Sequence, residues 1–203
     1  MPIPYSSVFL SRLSSSEELV LVDTMICNPI ADVARTTRDV RKLSRVLSKV
    51  DPATFGLLAC RGVITSSIKN PSSFFSRDIA TFKFLFTIPP MAKNPKSLRT
   101  LLIEADPLCP LNSRLDLAKQ LANSVLFVHG SQFVHKNIRP EAIIIFESDT
   151  RQIDSSFLVG FEKFRPADGM TYRTSDGNWQ RDLCTYLDLS STEPKLSSYQ
   201  ARR

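Results

Sequence analysis

Residues 133–146, F-V-H-K-N-I-R-P-E-A-I-I-I-F, confine what this chain can fold into. The stretch is polar and charged from His135 to Glu141, and the Pro140 ring fixes φ and removes a backbone donor. Neither a helix nor a central strand runs through such a residue. Before it, Leu117, Leu121, Val125 and Val128 recur at helical spacing, so a helix is expected over about Ser113–His129. After it, Ala142–Phe146 is an apolar run of strand length. A helix, a polar loop and a buried strand in immediate succession demand a mixed α+β domain.

The remaining pattern agrees. Leu19–Cys27 (L-V-L-V-D-T-M-I-C) is a compact apolar run and predicts a buried strand, ended by Asn28-Pro29. A helix is expected from about Ala31 to Val50, stopped by Asp51-Pro52. Phe55–Thr65 predicts a strand kinked at Gly62, followed by a serine- and asparagine-rich loop to about residue 78. Phe82, Phe84 and Phe86 alternate with Lys83, Leu85 and Thr87, the period of a strand with one aromatic face. That face is expected to be core. Pro89, Pro90 and Pro95 stiffen the next link, and Ser97 is placed to cap a short helix through Ile103. The chain has no internal repeat.

At 203 residues and 42% hydrophobic content, the chain can bury one moderate core or two small ones. No apolar run approaches the roughly 20 residues that cross a bilayer, so no transmembrane segment is expected. Residues 1–18, rich in serine and proline, are expected to be poorly ordered and not a signal peptide. Cys27, Cys60, Cys109 and Cys184 lie far apart without C-x-x-C spacing. They fit reduced thiols used as small apolar residues, and a cytoplasmic setting is expected.

Net charge is +6, and Arg35, Arg38, Arg41, Lys42, Arg45 and Lys49 crowd one predicted helix. They could mark a nucleic-acid or membrane surface. The favoured expectation is a solvated face opposite Val33, Val40, Leu43, Val46, Leu47 and Val50, because the aromatic interleaving of single-strand binders is missing. No nucleic-acid partner is therefore expected.

Set against these elements, V-H-K-N-I-R-P-E and the strand after it resemble the catalytic loop of protein kinases, H-R-D-L-K-P-E-N. His135 falls at the histidine, Arg139 at the lysine, and Pro140-Glu141 at P-E; Phe157–Glu162 sits where a strand and D-F-G stand. The wording of the loop, together with D-V-R-K-L…F-G-L-L-A-C-R-G-V-I and F-T-I-P…S-L-R-T-L-L, is similar to fungal kinase-like proteins. Members of that group are found with HeLo or prion-inhibition N-terminal domains. The resemblance implies an incomplete kinase-like fold. Residues 19–103 would form a small lobe and hinge without the glycine-loop strands. Residues 104–183 would form a partial large lobe with an exposed apolar face, and 184–203 a disordered tail.

The chemistry that the resemblance implies is degraded at six places. Phosphoryl transfer leans on a glycine loop, a lysine–glutamate pair, metal-binding residues and an aspartate aimed at the acceptor hydroxyl. No G-x-G-x-x-G occurs, the strand V-L-V-D-T-M has no lysine, and the helix after it has no glutamate. Asn137 replaces the aspartate and takes up no proton near neutral pH. Ala142 and Gly160 stand at the metal positions and offer no oxygen ligand. Glu162 and Asp154 are expected to be solvated turn carboxylates. His135, Pro140 and Glu141 are expected to support the loop, His129 is also expected to be structural, and Arg139 is expected to hold an anion or an internal carboxylate such as Glu141.

The function expected is therefore an inactive pseudokinase acting by binding an unidentified protein partner, with no cofactor and no metal. One alternative is a weakly active kinase that binds ATP and magnesium and phosphorylates Ser/Thr. A second is a basic nucleic-acid or membrane-surface module.

Overall fold

The computed structural model describes residues 1–13, 16–27, 32–68, 79–90, 92–104, 110–147 and 153–168. The last part of the expected large lobe (residues 169–183), Cys109, Cys184 and the 184–203 tail lie outside them.

The fold is α+β with antiparallel sheets. Strands β1 (Phe9–Arg12), β2 (Leu19–Ile26), β3 (Cys60–Ile68) and β4 (Ile79–Thr87) form one sheet in the order β1-β2-β4-β3. Phe82, Phe84 and Phe86 on β4 are each essentially fully buried, as their period-two spacing predicts. Across the ladder Phe86 faces Leu21, Phe84 faces Asp23 and Phe82 faces Met25. Directly paired residues point to one side, so Asp23 interrupts an apolar row on the aromatic face.

Helix α1 (Val33–Leu47) packs on β3 and β4 through Val40, Leu43 and Leu47. It is shorter than expected. Asp32 caps its start by accepting from the Ala34 and Arg35 N–H groups. Asp51-Pro52 does not stop α1 but starts a separate turn, α2 (Pro52–Phe55), with Asp51 as cap and Pro52 in the first helical position. Gly56 ends it in the left-handed region (φ +59). The predicted strand from Phe55 therefore begins only at Cys60, and its register shift between Cys60 and Gly62 is the expected kink.

The first residues correct another expectation. Ile3, Val8 and Leu10 are buried, and β1 pairs with β2. The serine- and proline-rich composition concealed three apolar anchors. Cys27 and Cys60 are buried among apolar residues, as expected.

A second sheet, β5-β7-β8, joins β5 (Lys93–Ser97), β7 (Ile143–Glu147) and β8 (Ile153–Leu158). Ser97 does cap α3 (Leu98–Glu104), its Oγ accepting from Thr100 N–H at 3.1 Å. Helix α4 (Leu111–Gly130) lies against β8 and α2. Its buried Ser124 hydroxyl lies 2.7 Å from the Phe55 carbonyl and 2.9 Å from that of Gly56. A Cβ on Gly56 would come within 2.6 Å of Gln120 Cγ. Leu111, Leu115 and Leu126 are exposed along α4, beside a shallow apolar depression of about 530 Å³. No described helix is long and apolar enough to cross a membrane. The short pair β6 (Phe133–Val134) and β9 (Arg165–Pro166) closes the loop that follows α4.

Candidate functional site

Four segments converge on one buried point. The loop after β6 carries His135, Asn137 and Arg139; a 3-10 turn, Pro140–Ala142, leads from it into β7. Strand β8 runs into Val159 and Gly160, then a second 3-10 turn, Phe161–Lys163. From the other sheet, β2 supplies Asp23.

His135 is buried and bonds the Val159 carbonyl through Nε2 at 3.0 Å. A carbonyl only accepts, so Nε2 carries the proton and Nδ1 accepts the Asn137 N–H at 3.3 Å. Burial pushes the imidazolium pKa down to about 4. Both ring nitrogens are occupied by backbone groups, which ties the loop to Val159. His129 is exposed in the last turn of α4.

Asn137 is buried, and its Nδ2 donates to the Gly160 carbonyl at 3.3 Å and to Glu162 Oε1 at 3.1 Å. Arg139 Nη2 also reaches Glu162 Oε1, at 3.5 Å. This corrects one expectation: Glu162 is a half-buried hub and not a solvated turn carboxylate. Arg139 does hold an internal carboxylate, and it is that of Glu162. Glu141 instead faces Arg99 at 3.8 Å, leaving its buried Oε2 without a partner. The cause is the 3-10 turn begun by Pro140, which swings residue 141 toward α3, while the extended Arg139 backbone points toward Phe161–Lys163. The side chain of Asp154 lies outside the described residues.

Gly160 sits in the left-handed region (φ +82) against Ala142 and Asn137. A Cβ there would lie 2.9 Å from both Ala142 Cβ and Asn137 Nδ2. The three positions interlock, and none tolerates a larger neighbour.

Asp23 is the member that sequence reasoning missed. It has no solvent exposure, and its Oδ2 accepts from Gly160 N–H at 2.9 Å and Phe161 N–H at 2.8 Å. Oδ1 is buried without a partner. Burial raises its pKa to about 6, against the opposing pull of the two amides, and the Glu162 charge adds to the rise. The signal was present in L-V-L-V-D-T-M-I: a single carboxylate in an apolar strand has to find buried donors.

Chemically, the cluster binds itself. Asn137 and Arg139 are spent on Glu162, His135 on backbone, and Asp23 on the amides that begin the second 3-10 turn. A scan against protein-family models and a search of curated proteins find no match for this chain.

Proposed function

We propose that this chain is a kinase-like module that has lost phosphoryl transfer and acts by binding another protein. The observation that carries the reading is the interlock of Asn137, Ala142 and Gly160, the positions that correspond to the kinase base and metal residues. A carboxylate at Gly160 would strain a left-handed backbone and meet Ala142 Cβ at 2.9 Å, so the site is packed around the loss.

Two further features support it. Strand β2 presents Asp23 where the kinase pattern has a lysine, and that carboxylate is aimed at the Gly160-Phe161 backbone. A phosphate group brought there would meet a buried negative charge above pH about 6. The residues at the metal positions do not fit a hard cation, because Ala142 and Gly160 supply no side-chain oxygen.

Thermal shift of the full chain with ATP, with and without magnesium, tests the reading, together with radiolabel transfer to a generic protein acceptor. The expected outcome is no magnesium-dependent stabilisation and no transfer. Magnesium-dependent stabilisation with transfer that Asn137→Ala abolishes would establish the weakly active kinase instead.

A further inference from the structure

The outer face of α1 carries charge that the site does not use. Arg35, Arg38, Arg41, Lys42, Arg45 and Lys49 are all exposed. Spacings of three and four residues place Arg35, Arg38, Lys42 and Arg45 in one stripe about 15 Å long, at about 1.5 Å of rise per residue, and Lys49 follows in the turn after the helix. With Arg41 they occupy about a third of the helix circumference, opposite the buried Val40, Leu43 and Leu47. The one carboxylate within α1, Asp39, is half-buried. Asp32 is occupied as the helix cap. Among the described residues none of the six cations is in an ion pair. Lys42 also lies 5.6 Å from the Phe133 ring.

We infer that this stripe is a docking surface for the phosphate backbone of duplex nucleic acid. A line of cations with no convergent pocket suits a polymer of regularly spaced phosphates better than a single anion. Four of the six are arginines, whose planar fork matches paired phosphate oxygens. The stripe holds no aromatic side chain, so it offers no stacking platform for unpaired bases. The missing aromatics that argued against nucleic acid in the sequence therefore argue only against single strands. A bilayer fits less well, because the apolar face of α1 is already buried in the protein core and cannot enter the acyl layer. The inference stands apart from the fate of phosphoryl transfer.

The test is fluorescence anisotropy of the full chain with a labelled duplex of about 20 base pairs across a salt series. Five phosphate contacts predict a slope of about −4.5 in the log–log plot, or roughly 500-fold weaker binding at 200 mM than at 50 mM salt. The triple variant Arg35→Gln/Arg38→Gln/Arg45→Gln, which spares Lys42, is expected to flatten the slope by about 2.7. Circular dichroism verifies its fold, and the single exposed change Arg38→Glu is the second variant, expected to weaken binding measurably. Arg61→Gln/Lys119→Gln, on other surfaces, is expected to leave affinity unchanged. Absent binding at 50 mM salt, undiminished binding in the α1 variants, or equal loss in the control overturns the inference. So does tighter binding to single strands, or to phosphatidylserine vesicles, than to the duplex.

Discussion

Asp23 and His135 grip opposite sides of one three-residue segment. The carboxylate accepts from the Gly160 and Phe161 N–H groups, while the imidazole donates to the Val159 carbonyl. Burial moves the two titrations in opposite directions, to about 6 for Asp23 and about 4 for His135.

Opposed titrations predict a masked pH response. Asp23 binds its proton more tightly when folded, so its contribution to stability is full below about 4 and is lost as pH rises through about 6. His135 binds its proton less tightly when folded, so its contribution is full above about 6.5 and is lost as pH falls through about 4. Each amounts to roughly 3 kcal/mol at about 1.4 kcal/mol per unit, and across this window they largely cancel. Asp23→Asn is expected to expose the histidine alone, so the variant loses stability steadily from pH 6.5 to 4. Urea midpoints at several pH values measure this, and a variant profile as flat as wild type refutes the pairing.

Restoring an aspartate at Asn137 is expected to harm the protein. The new carboxylate would face the Gly160 carbonyl and Glu162 Oε1 at the present distances of 3.3 and 3.1 Å, with no proton to donate. Loss of two buried hydrogen bonds plus like-charge repulsion costs about 2–4 kcal/mol. Because protonation relieves the repulsion, Asn137→Asp should be more destabilised at pH 8 than at pH 5. Thermal melts at the two pH values provide the comparison.

Gly160→Ala is expected to cost about 2–4 kcal/mol, combining the left-handed backbone penalty with overpacking. The contacts responsible are Ala142 Cβ and Asn137 Nδ2, each 2.9 Å from the added methyl. A chemical denaturation curve with a lowered midpoint and unchanged slope is the expected signature.

Ser124→Ala removes a hydroxyl that ties α4 to the end of α2; the Phe55 carbonyl loses this donor, while the Gly56 carbonyl keeps the Leu158 N–H at 2.9 Å. The expected loss is about 1–2 kcal/mol, read as a lower melting temperature. An unchanged melt would show that another donor already serves the Phe55 carbonyl.

Much of the fold was legible because periodicity reports burial directly. Phe82, Phe84 and Phe86, the Ser97 cap and α4 all follow from spacing and capping chemistry. The site was legible only as positions along the loop. Its partners came from elsewhere in the chain: Asp23 lies 137 residues from Gly160, and no local rule pairs them. That Arg139 holds a carboxylate was legible from its charge, but which one was not, since Glu162 is distant in sequence and close in space. The N-terminal segment was hidden because three apolar anchors among serines and prolines leave no periodic trace.

That segment has a kinetic consequence. The Pro4 carbonyl accepts from Ser97 Oγ at 2.8 Å, and Ser6 Oγ donates to the Glu141 carbonyl at 2.7 Å, contacts spanning 93 and 135 residues. Closures of that length are entropically expensive until both anchoring elements exist. Residues 1–8 therefore fasten last and release first, a latch that sets the rate of unfolding more than the rate of folding.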